Sequence, residues 1–172
     1  MKKISLVPRS VARFAAVQAV FQKCFTPVIQ GAELTWDSVE KDFVENRFHK
    51  GSYALFDETT HRIDVPFFQY LLKSVAQSKT LVDDLVISLL PSHWSLDQME
   101  PVTYCLFLCA GCELLDTNGP PKHVVFDEYI VAAHSFLLNK GPGFVNAFLE
   151  KFYHKMDEQN LLRTVNFAQT ME

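Results

Sequence analysis

Apolar side chains recur at spacings of three and four along most of this chain, the period of an amphipathic helix, and no segment alternates as a half-buried strand would. Val11, Phe14, Ala15, Phe21 and Phe25, with Gln18 in register, mark one such stripe over residues 9–25. Pro8 stands just before it, where a proline is tolerated, and Pro27 and Gly31 break it. Thr35-Trp36-Asp37-Ser38-Val39-Glu40 predicts a capped start to a short helix running to about Phe48, after which residues 49–62 show no period and read as a loop. Asp64 is a good N-cap with Pro66 in the first turn, and apolar pairs then continue from Phe67/Phe68 through Leu89 to Pro91. That run is long for one globular helix, so a break is expected near Ser78-Lys79-Thr80. Ser95 or Asp97 opens the next helix, whose body Val102–Leu115 is apolar almost all round and so belongs at the centre of a core. Asn118-Gly119-Pro120-Pro121 stops it, Val124–Leu138 follows, and Gly141-Pro142-Gly143 punctuates before a last core helix over Phe144–Met156. The tail from Asp157 is polar and reads as a fraying extension. The pattern is all-α.

At 172 residues and 48% hydrophobic, the chain suits one domain or two small packed subdomains with a real core. Fifteen Phe against six Gly and eight Pro exclude a disordered or fibrous protein. Sixteen Lys+Arg and twenty Asp+Glu give a net charge of −4, which argues against coating nucleic acid by bulk electrostatics and leaves room only for a local basic patch. The longest nearly uncharged stretch, Val102–Cys112, is too short to span a bilayer. Met1–Val7 begins like a signal peptide, but Pro8, Arg9 and Arg13 interrupt any apolar region. A cytoplasmic protein without a membrane partner is expected.

Cys105-x3-Cys109-x2-Cys112 has the spacing that holds an iron–sulfur cluster in radical enzymes, yet all three lie on one apolar helix, where free cysteine packs as a small hydrophobe. Zinc would need a fourth ligand that no nearby spacing supplies. The six histidines form no H-E-x-x-H pair, and neither a nucleophile elbow nor a phosphate-binding glycine loop is present. The adjacent acids Asp83-Asp84 and Asp127-Glu128 suit solvated helix faces. No catalytic residue, metal ligand or cofactor is therefore expected.

Two polar features stand out. Lys2, Lys3, Arg9 and Arg13 cluster within thirteen residues, and Arg9 and Arg13, four apart, share a helix face able to grip successive phosphates. A solvated helix end is the plainer alternative. Phe144-Val145-Asn146 opens the last helix, where an aromatic and an amide can stack on a base and hydrogen-bond to it. The alternative there is Phe in the core and Asn as a cap.

In order along the chain, Arg9, Ala12, Arg13, Ala16, Gln18, Ala19 and Phe21; Asp64–Leu72; Trp94-Ser95-Leu96-Asp97 with Glu100-Pro101-Val102 and Glu113-Leu114-Leu115; and Pro121, Val124-Val125, Glu128 with Phe144-Val145-Asn146 and Leu149-Glu150-Lys151 resemble the motifs of the NusB family of transcription antitermination factors. The resemblance covers most of 9–25 and 63–152 and leaves 26–62 and 153–172 unsupported. It implies one domain over 1–172 made of two packed helical subdomains, about 1–90 and about 91–156, followed by a polar tail. It also implies a non-enzymatic adaptor that binds boxA-type single-stranded RNA with the ribosomal protein NusE, and through them meets RNA polymerase. Carried over by position, Arg9, Arg13 and Gln18 act from the first helix, with Lys2 and Lys3 beside them. Phe144 and Asn146 act from the F-V-N motif, with Lys140 as the nearest cation.

The chain departs from the family pattern at Ser10, at Thr103-Tyr104 and Leu108, at Asp127, Tyr129 and Val131, and at Pro142, Gly143 and Ala147. These changes remove charge or add bulk, so weak RNA binding without a partner is expected. An exposed Tyr104 or Leu108 would instead serve a homodimer, and the alternative function is a diverged homodimeric interaction scaffold with RNA binding weakened or lost.

Overall fold

The computed structural model describes residues 7–26, 33–48 and 63–169. Lys2, Lys3, Pro27, Gly31 and the expected loop 49–62 lie outside the described residues. Among those described, six α-helices appear and no strand, so the chain is all-α: α1 (Pro8–Phe25), α2 (Trp36–Asp42), α3 (Val65–Leu89), α4 (Pro101–Leu115), α5 (Lys122–Phe136) and α6 (Gly141–Glu158). No helix among them is long and apolar enough to cross a membrane. Contacts divide the chain into two compact units, residues 1–73 and 74–172, with the division falling inside α3.

In the first unit α1 begins with Pro8 in its first turn, and Val11, Phe14, Ala15, Ala16, Val17, Ala19 and Val20 are all buried. Thr35 caps α2 by accepting from the Ser38 N–H at 3.1 Å while Ser38 Oγ accepts from the Thr35 N–H at 3.0 Å. A single π-turn, Phe43–Arg47, then carries Phe43 and Phe48 against Phe68, the latter edge-on with centroids 4.9 Å apart. Asp64 starts α3 as expected, its Oδ1 accepting from the Phe67 N–H at 3.0 Å. Its own N–H donates to the Pro8 carbonyl at 3.2 Å, which ties the starts of α1 and α3 together.

In the second unit α4 is buried from Thr103 to Leu115, including all three of its cysteines, and the Cys112 thiol donates to the Cys109 carbonyl. Gly111 permits this depth, since a Cβ there would lie 3.0 Å from Val82 and 3.2 Å from Phe152. Phe107 stacks on Phe148 of α6 at 4.2 Å. Lys122 joins α5 to α6 through Glu150 at 2.7 Å and lies over the rings of Phe126 and Tyr153.

Four expectations are corrected. The long apolar run does not break at Ser78-Lys79-Thr80: the buried Ser78 hydroxyl donates to the Ser74 carbonyl, Lys79 pairs with Asp83 one turn on, and Thr80 is exposed to solvent. Ser95 caps only a 3-10 turn at Leu96–Gln98, and α4 starts at Pro101, its first N–H groups taken by the Glu100 carboxylate. Gly141-Pro142-Gly143 is the first turn of α6 rather than a separator, because a proline at that position gives up an N–H that has no helical partner. The tail does not fray. The Thr117 N–H donates to the Val165 carbonyl at 2.9 Å, the Val165 N–H donates to the Leu115 carbonyl at the end of α4, Phe167 is buried, and the Arg163 guanidinium donates to the carbonyls of Gly119 and Pro120 at 2.8 Å each. Arg163 adopts φ 55°, a conformation uncommon for a long side chain, held here by those bonds and by its N–H to the Leu114 carbonyl.

Candidate nucleic-acid interface

The first unit supplies the arginines. Arg9 sits in the first turn of α1 with its side chain 66% exposed, its Nε 3.4 Å from Asp64 Oδ2 and its guanidinium 4.9 Å from the Phe67 ring. Arg13, one turn later, has its guanidinium 4.9 Å from the same ring but is only 4% exposed. The ring of Phe67 is thus shared by two cations, a packing in which the guanidinium face meets the aromatic face. Gln18 is half-buried further along α1. Arg47 is also tied into the fold: its Nη2 donates to Gln22 at 2.6 Å, its Nε to Asp42 at 3.0 Å, and its guanidinium lies over Phe43. Burial by itself would raise the Asp42 carboxyl, but hydrogen bonds from Asn46 and Arg47 and the Arg47 charge outweigh it and hold Asp42 below the usual carboxylate range.

The second unit supplies an apolar groove. Phe144, in the first turns of α6, is 49% exposed, and its inner side rests against Phe107 and Phe148 with centroids 6.4 and 5.8 Å away. Lys140 caps the same helix, exposed, and makes no ion pair with any described residue. With Trp94, Met99, Phe136 and Leu138 these two line a groove of about 610 Å³. Asn146 is exposed two residues beyond Phe144 and does not line the groove. Sequence reasoning had no hold on Phe67, Trp94 or Leu138. The only signals were Phe67 at the fourth position of the Asp64 helix start and Trp94 heading the Trp-Ser-Leu-Asp stretch.

Tyr104 and Leu108 are buried, correcting the expectation that they offer an exposed dimer surface. The Tyr104 hydroxyl donates to Asp83 Oδ1 at 2.7 Å, and Asp83 also pairs with Lys79, so the three form a part-buried polar cluster. Among the described residues no group of His, Cys, Asp and Glu could hold a metal ion.

A model of the NusB family matches residues 10–154 of this chain, so the ordered tail lies outside it. Transcription antitermination protein NusB of Granulibacter bethesdensis is 33% identical over 144 residues, covering 83% of this chain and 85% of that protein. Its namesake in Caulobacter vibrioides is 32% identical, covering 83% and 90%. The solved structure of T. maritima NusB superposes with a TM-score of 0.63 at 23% identity over 86% of this chain and 92% of that one, a likeness of fold.

Proposed function

Because this chain belongs to the NusB family of transcription antitermination factors, we propose that it is a cytoplasmic, non-enzymatic adaptor that binds boxA-type single-stranded RNA together with the ribosomal protein NusE. Through that assembly it would act on RNA polymerase during ribosomal RNA transcription. The observation that carries this reading is the Phe144 ring, half in solvent, backed by two further rings and sharing its groove with Lys140, which pairs with no acid among the described residues. Sequence-specific RNA recognition works on unstacked bases laid on such aromatic faces, with cations on the adjoining phosphates.

In this reading Arg9 meets phosphate directly. Arg13, buried beneath it, is a positioning residue that fixes Phe67, against which Arg9 lies. Gln18 extends the arginine side and Asn146 the Phe144 side, and Lys2 and Lys3 are assigned to phosphate by their place in the sequence alone. The test is binding of a labelled boxA-type RNA, with and without the ribosomal partner, across a salt series. Partner-enhanced binding with a log–log slope of about −0.7 per neutralised phosphate is expected. Folded protein that binds RNA in neither condition and sediments as a stable dimer would overturn the proposal in favour of the homodimeric scaffold.

A further inference from the structure

Trp94 has no structural task that the fold reveals. It is 45% exposed, its ring meets no other ring and its indole N–H meets no acceptor among the described residues. Yet its backbone is fixed on both sides. The Trp94 N–H donates to the Pro91 carbonyl at 2.8 Å, and the Ser95–Gln98 turn that follows is closed by the Ser95 N–H on Gln98 Oε1 at 3.1 Å. An indole held out by an ordered turn is a preorganised surface, and this one lines the same groove as Phe144.

The charge of the groove selects among occupants. Its one carboxylate, Glu100, accepts from the N–H groups of Val102 and Thr103 at 3.1 and 2.6 Å and so is committed to the start of α4. Lys140, with no ion-pair partner among the described residues, is the charge left to a ligand. Two available aromatic faces and one cation on apolar walls match a ligand made of flat rings on an anionic backbone.

We propose that Trp94 is a second base-stacking platform, so that the groove takes two unstacked bases of a single RNA strand, one on Phe144 and one on Trp94, with Lys140 against backbone phosphate. This rests on the RNA-binding reading above and adds to it a residue that sets how many bases are read, and which.

The test uses the full chain and a short boxA-type single-stranded RNA. In a Trp36→Phe background Trp94 is the sole tryptophan, since the chain has two, and saturation with RNA is expected to quench its emission. Trp94→Ala is expected to weaken binding about tenfold and Trp94→Phe to restore most of it. Abasic replacement along the RNA should find one nucleotide whose loss is non-additive with Trp94→Ala but additive with Phe144→Leu. Should Trp94→Ala bind RNA as tightly as its parent while Phe144→Leu binds weakly, the second platform is wrong and the RNA reading stands. If Trp94→Ala weakens only the association with the ribosomal partner, the groove is a protein-docking surface instead. Absence of RNA binding by the parent chain overturns both.

Discussion

The arginines of α1 and the groove beside α6 differ in how far their functional groups are already spoken for within the protein. Arg9 and Arg13 lie one turn apart and share one aromatic ring, yet one is 66% exposed on its side chain and the other 4% exposed overall. At the groove, Lys140 pairs with no described residue and Phe144 keeps half its surface in water. Groups bound into the fold register in stability and act on ligand through geometry. Groups left open contribute little to stability and register on binding. The difference shows that a basic residue in a recognition motif is not automatically a phosphate contact, and burial decides which role it takes.

Substitutions can break or sharpen this contrast. The largest effect is expected from Arg13→Ala, which removes a buried guanidinium–ring contact and should lower stability by about 2 kcal/mol in urea titrations, with RNA affinity falling alongside. Loss of RNA binding at unchanged stability would break the comparison, because Arg13 would then contact ligand directly. Next comes Phe144→Leu, which keeps an apolar side chain against Phe107 and Phe148 but removes the stacking face. RNA affinity should fall about tenfold while the unfolding midpoint stays near its parent value.

Arg9→Ala should reduce affinity several-fold, lower the magnitude of the salt slope by about 0.7, and leave stability within about 0.5 kcal/mol. An unchanged slope would remove Arg9 from the phosphate contacts. The smallest effect concerns Asp42, tied to Arg47 at 3.0 Å with both side chains partly exposed. Its carboxyl titrates lower in the folded protein than its ordinary value of 3.8. The stabilisation is therefore whole above that ordinary value and fades as pH falls through the folded one. The stability difference between wild type and Asp42→Asn should accordingly be constant from neutral pH down to about pH 5 and shrink in stronger acid. A difference that grew in acid would contradict the sign.

The all-α class and the order of the helices were legible because they depend on a 3.6-residue repeat carried by many side chains at once. The burial of α4 and its three cysteines followed from the same signal. What could not be read was local satisfaction of polar groups. Ser78 looks like a helix breaker until the Ser74 carbonyl one turn back is seen to accept its hydroxyl. Phe167 follows Leu161, Leu162 and Val165 in a mixed stretch with no helical period to announce that it is buried. At the candidate site, the residue types that suit RNA were visible at Arg9, Arg13 and Phe144. Their exposure was not, since Arg9 and Arg13 occupy the same helical register and meet the same Phe67 ring, yet only Arg9 reaches solvent.

The folded tail also bears on how the molecule comes into being. The backbone of Arg163 and Val165 donates to the carbonyls of Leu114 and Leu115, and Arg163 secures the carbonyls of Gly119 and Pro120. A ribosome delivers α4 and the turn after it well before it delivers these partners. Until then the carbonyls of Leu114, Leu115, Gly119 and Pro120 lack these donors. The second unit is therefore completed only by its last residues, and a chain truncated after α6 would leave this edge unsealed.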